Sequence, residues 1–181
     1  MVLPSPETFW SLYKQELKAR GSWSAYQNSR SWTPIAISAA ESVCHEFGFA
    51  TAKEYFNIDV IAWTGKWNHR DYDYDLRIAF EAEDSLLWED ELCKLAHIVS
   101  DLRVLVTYQS RLKHGAEDVL DERLIRHKAR IIRDCNCKWL FVFGPHPKDR
   151  NEPWKAYSLD EYGCRLAISD DPPLRGNDMK A

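Results

Sequence analysis

The chain has 181 residues, of which 45% are hydrophobic, 29% charged and 13% aromatic, with a net charge of −4. That length and apolar content suffice for one domain with a real core and exclude a disordered composition. The acidic balance, with a pI of about 5.9, provides no bulk attraction for a polyanion and leaves only a local basic patch to serve one.

Taken in chain order, residues 7–20 read as an amphipathic helix, with Phe9, Leu12, Tyr13 and Leu17 on one face and Gly21 ending it. The stretch SWSAYQNSRSW (22–32) reads as a loop. Its Trp23, Tyr26 and Trp32 are expected to close a core edge rather than to stack on bases. Thr33 and Pro34 suit a helix start, and that helix is expected to stop at Gly48. Residues 54–63 (EYFNIDVIAW) and 74–83 (YDLRIAFEAE) are rich in β-branched and aromatic residues. A turn containing Gly65 separates them, so an antiparallel hairpin is expected. Ser85 caps a predicted helix to about Ser100, with Trp88, Leu92, Leu95 and Val99 as its stripe. LRVLVTY (102–108) and KWLFVFG (138–144) read as buried strands, and residues 117–133 between them as a helix. One or two short strands are expected after that, at 154–158 and 164–168. The expected fold is α/β, a mixed central sheet flanked by helices, with the strands at 102 and 138 as parallel neighbours. The chain divides into an N-terminal helix, a core at about residues 34–144 and a C-terminal extension at 145–181, within a single domain of residues 1–181.

MVLPSPETFW does not read as a signal peptide, and no run of about 18 apolar residues is present, so no membrane span is expected. The five cysteines are odd in number and irregular in spacing, which suits a reducing cytoplasm. Cys135 and Cys137 make at most half of a metal site.

The acids carry the chemistry. Strand alternation puts Glu81 and Glu83 on one face with Arg77 and Ala79. Asp59 interrupts the apolar run FNIDVIAW, and a hairpin register places it across from the Glu81 to Glu83 region. Glu41 falls on or beside the apolar stripe of its helix, formed by Ile37, Ala40, Val43 and Cys44. Carboxylates converging on one region require a cation, and oxygen ligands without thiolate or imidazole suit Mg²⁺ or Mn²⁺. For Asp84 the plainer reading is a helix N-terminus, where acids favour the dipole.

A helix with an inward Glu, a strand with Asp, a strand with Glu-x-Glu, a helix and then an apolar strand together resemble the PD-(D/E)XK, or restriction-endonuclease-like, nucleases. The resemblance covers about residues 34–144 and implies an αβββαβ core. It implies Asp59, Glu81 and Glu41 as metal ligands, with the carbonyl of Ala82 as a usual further one. Glu83 stands where the family's lysine would be. Some relatives draw that lysine from a nearby helix, and Lys94 is the candidate of that kind. Asp59, Glu81, Glu83 and Lys94 are thus the expected catalytic set, and Gln109 the expected polar residue at the edge of the site. The implied activity is metal-dependent hydrolysis of phosphodiester bonds, with nucleic acid as partner, DNA ahead of RNA. Relatives of this size often act as homodimers or in larger complexes. The rival reading, favoured by the missing lysine and the negative charge, is a non-catalytic module that keeps the fold and acts through protein binding.

Arg123, Arg126, Arg130 and Arg133 share one side of their helix and form a candidate phosphate-contacting ridge. The alternative is a solvated face paired with Asp118, Asp121 and Glu122. The histidines, among them His97 and His127, show no metal spacing and no expected Ser or Cys partner, so no nucleophilic triad is expected.

Overall fold

The computed structural model describes residues 4–55, 57–65, 74–83, 88–108, 116–131, 137–145 and 153–168. Arg133, Gln109, Asp84, Ser85 and Cys135 lie outside the described residues.

The first helix, α1, spans Pro6–Arg20, with the Ser5 hydroxyl accepting from the Thr8 N–H as its N-cap. At its end Gly21 lies so close to the preceding turn that an added Cβ would sit 2.7 Å from the Leu17 carbonyl oxygen. A side chain there would displace the turn. The expected loop after it is instead a short helix, α2 (Trp23–Tyr26), followed by α3 (Ser29–Glu46). Asn28 caps α3, which starts five residues before the Thr33–Pro34 start expected from sequence and keeps Pro34 inside the helix. Proline inside a helix removes one backbone donor and clashes with the preceding turn. Burial outweighs this: the earlier start carries Trp32 into the core, where it is fully buried.

Gly48, at φ 78, sits just beyond the C-cap of α3. Two strands then replace the one expected at 54–63. They are β1 (Ala50–Tyr55) and β2 (Ile58–Gly65), an antiparallel hairpin with Tyr55 opposite Ile58. Asn57, at φ 59, adopts the left-handed backbone that the reversal needs. Next come β3 (Tyr74–Ala82), α4 (Trp88–Leu95), β4 (Leu102–Tyr108), α5 (Ala116–Ile131) and β5 (Lys138–Gly144). β6 (Lys155–Leu159) and β7 (Arg165–Ala167) complete the described elements. α4 is shorter than the helix expected to reach Ser100, and Val99, expected in its buried stripe, is 77% exposed.

All seven strands form one sheet in chain order. β1, β2 and β3 are antiparallel neighbours, β4 pairs parallel with β3 and with β5, and β6 and β7 return antiparallel. One face packs against α1 and α3 through Val60, Ala62, Ile78, Phe80, Val104 and Val142. Tyr13, Tyr26, Trp32 and Trp154 fill that side, so the aromatics after α1 serve the core, as the burial argument expects. The other face, through Ile61, Ala79, Leu105 and Phe141, packs against Trp88, Leu92 and Leu95 of α4 and Leu120 and Leu124 of α5. No helix among the described residues is long and apolar enough to cross a membrane.

Candidate active site

In the β2–β3 pairing Val60 lies opposite Phe80 and Ile61 opposite Ala79, and the same register brings Asp59 against Glu81. Both side chains fall on the α4 side, because they alternate with Val60 and Phe80, which point to α3. The two acids are joined directly. The Asp59 N–H donates to Glu81 Oε2 at 3.4 Å, and the Ala82 N–H donates to Asp59 Oδ2 at 2.8 Å.

The cation at this point is Lys94. The apolar stripe Trp88, Leu92 and Leu95 fixes α4 over the sheet, which turns Lys94 toward the end of β2. Its Nζ donates to Glu81 Oε1 at 2.8 Å and to the Asn57 carbonyl at 2.7 Å, and it also pairs with Glu91 one turn earlier. Glu81 is nearly inaccessible, at 3% exposure. Lys94 is therefore held by three partners at the rim of a buried carboxylate.

Three acids share this one ammonium, and their electrostatics follow from that. Burial pushes the Glu81 carboxyl up to about 9; the Lys94 hydrogen bond opposes the rise, while the charges of Asp59 and Glu91 add to it. Burial also raises Asp59, against the stabilising hydrogen bond from Ala82. Burial acts to lower the Lys94 ammonium, but its bonds to Glu81 and Glu91 outweigh this and hold it above the ordinary lysine value. The site is thus short of positive charge, and without a further cation it retains a proton on the Asp59–Glu81 pair.

Among the described residues no group of three or more His, Cys, Asp or Glu side chains is arranged to hold a metal ion. Mg²⁺ asks less of a protein, taking one or two carboxylates and filling its octahedron with water and substrate phosphate oxygens. Asp59 and Glu81 supply such a pair, all oxygen, desolvated and sharing one ammonium with Glu91. The donor chemistry therefore fits Mg²⁺ or Mn²⁺.

The other sequence candidates lie as follows. Glu41 does not join the pair. It follows Ala40, which faces the sheet, and so stands on the flank of α3, where its Oε2 pairs with Lys53 Nζ of β1 at 2.7 Å. Glu83 lies just beyond β3, its N–H donating to the Val106 carbonyl at 3.0 Å. Arg123 and Arg126 are engaged with acids. Arg123 Nε is 3.0 Å from Glu89 Oε2, and Arg126 bonds Glu89 at 3.2 Å and Glu122 at 2.7 Å. Arg130 Nη1 is directed at Cys93 Sγ, 3.7 Å away.

Two features escaped sequence reasoning. Glu91 supports Lys94, and its signal was present: an acid three residues before a lysine on a helix whose stripe faces the sheet. His127 lies beside Cys93, at 3.7 Å from Nδ1 to Sγ, contrary to the expectation that no histidine has a thiol partner. Those residues are 34 apart in sequence, and only the packing of α5 beside α4 joins them.

A scan of the chain against protein-family models finds no match, and a search of curated proteins finds none either.

Proposed function

We propose that the chain is a divalent-metal-dependent phosphodiesterase of nucleic acid, a variant of the restriction-endonuclease-like kind whose lysine comes from a helix. One observation carries the reading: Asp59 and Glu81 sit side by side on adjoining strands, with Lys94 Nζ 2.8 Å from Glu81. The succession α3, β1, β2, β3, α4, β4, antiparallel up to β3 and parallel at β4, is compatible with an αβββαβ core.

In this reading Asp59 and Glu81 hold Mg²⁺ or Mn²⁺. A metal bound there supplies an activated water and charge neutralisation at the phosphodiester. Lys94 contributes the ammonium that stabilises charge on the reacting phosphate. Glu91 and the Asn57 carbonyl fix it before substrate arrives, so little reorganisation remains. Glu83, at the end of β3, is the residue we assign to accept the proton of the attacking water. In this reading Arg126 and Arg130, exposed on α5, exchange their contacts with Glu89, Glu122 and Cys93 for a nucleic-acid backbone, and DNA is the proposed substrate. The free thiols Cys44, Cys93, Cys137 and Cys164 accord with the reducing, cytoplasmic setting proposed for the chain.

A second reading rests on the same contact. Lys94 already occupies Glu81 Oε1, and a buried acid bonded in this way within the protein also suits a non-catalytic module that keeps the fold.

Single- and double-stranded DNA and RNA incubated with the parent protein and with Asp59→Ala separate the two. The proposal expects cleavage by the parent with Mg²⁺ or Mn²⁺, its loss in EDTA, and a fall of at least about a hundredfold in Asp59→Ala. No cleavage of any polymer with either metal would favour the non-catalytic module.

A further inference from the structure

A second cluster lies between α4 and α5, apart from the acid pair. Cys93 Sγ is 3.7 Å from His127 Nδ1. The sulfur is also 3.9 Å from the second ring nitrogen, Nε2, which is itself 2.8 Å from Glu89 Oε1. An ionised carboxylate only accepts, so in the neutral ring Nε2 carries the hydrogen and Nδ1, the nitrogen slightly nearer the sulfur, is the acceptor. Glu89 is itself fixed, by Arg123 at 3.0 Å and Arg126 at 3.2 Å. Burial works against its charge, but the His127 hydrogen bond and the two arginines outweigh that and hold its carboxyl below the ordinary value. Arg130 Nη1 adds a donor 3.7 Å from the sulfur. The groups facing Cys93 are then His127 and Arg130 from α5 and Glu89, through the ring, from α4. His97 Nδ1 contacts the Cys93 carbonyl, and Lys94 turns away to Glu81 and Glu91.

Nucleophile, base and orienting carboxylate stand in the sequence that activates a thiol, with a guanidinium N–H directed at the sulfur. We propose that Cys93 is a reactive thiol whose reaction partner is a hydroperoxide, with His127 as its base, Glu89 as the positioning residue for His127, and Arg130 as the anion-stabilising group. The half-buried position of Cys93 between two helices favours a small oxidant over a polymer.

His127 Nδ1 takes the thiol proton, and the thiolate attacks one peroxide oxygen. The S–O bond forms as the O–O bond breaks. The departing oxygen takes the proton from His127 and leaves as water or an alcohol. Cysteine is oxidised by two electrons to the sulfenic acid and the peroxide is reduced by two. The inference does not depend on the phosphodiesterase reading, since it uses none of Asp59, Glu81 or Lys94.

The test treats the full chain with hydrogen peroxide, traps sulfenic acid with a dimedone-type reagent and follows each cysteine by peptide mass spectrometry. Cys164, which is exposed, and Cys137 serve as internal references. Cys93 is expected to oxidise about tenfold faster than either reference near neutral pH, and His127→Gln to bring it down to their rate. Arg130 is exposed, so Arg130→Gln leaves the fold in place and is expected to slow Cys93 alone severalfold. Equal rates at Cys93 and Cys164 in the parent overturn the proposal. So does a rate at Cys93 unchanged in both variants.

Discussion

Glu81 is where burial and charge conflict most. Its carboxyl is raised to about 9 from an ordinary value of 4.5, so between those limits the folded state holds a proton that the unfolded state has released. The contribution is fully present below the unfolded value and is lost as pH rises through the folded one. Glu89 and Glu117 have lowered values, held by His127 and by Tyr157 and Lys155 against burial, and they act in the opposite sense, in the acid range below the ordinary glutamate value. The two windows do not overlap. The melting temperature of the metal-free protein is expected to fall as pH is raised from about 5 toward 9. Glu81→Gln is expected to flatten that slope and to be at least as stable as the parent at the alkaline end. Thermal melts across the range check this, and an equally steep slope in Glu81→Gln would contradict it. Much of this residue-level picture was legible beforehand: a mid-strand Asp and a strand ending in Glu-x-Glu both violate local preference, and the structure sets them side by side. Glu41 misled because helical spacing fixes a residue's angle to within one flank and does not say what stands there. Here Lys53 does.

Elements whose period and end signals agree were legible from sequence. α1, β3, β4, α5 and β5 all lie within a few residues of their expected bounds. The failures share a cause, a local signal overruled by packing. Asn57 looks like one polar residue in a long strand, yet its left-handed backbone turns the chain and makes two strands of one. Thr33 and Pro34 carry every mark of a helix start, yet burial of Trp32 pulls the start back to Ser29. Pro34 is then an exposed proline within α3, with no packing to lose. Pro34→Ala restores a backbone donor and removes the clash, while giving back some chain entropy. A net gain of about 1–2 kcal/mol is expected, read as a higher urea midpoint with an unchanged slope. A loss of stability would mean that the ring is held by contacts the helix geometry does not reveal.

At the scale of the molecule, the seven-stranded sheet separates two cores that share no side chains among the described residues. The acid pair and Lys94 belong to the α4 side, Pro34 and Glu41 to the α3 side. Substitutions across the sheet should therefore act independently. The stability change of Glu81→Gln combined with Pro34→Ala is expected to equal the sum of the single changes to within about 0.5 kcal/mol. A larger coupling would show that the sheet transmits strain between its faces.

If Asp59 and Glu81 take up a divalent cation as proposed, calorimetric titration with Mn²⁺ detects it without any substrate. Because the pair retains a proton, metal must displace it, so the measured heat should vary with the ionisation enthalpy of the buffer. About one Mn²⁺ per chain is expected, with release of up to about one proton on binding near neutral pH and loss of that site in Asp59→Ala. Binding that is the same in parent and Asp59→Ala, or no binding in the parent, would contradict the proposed uptake.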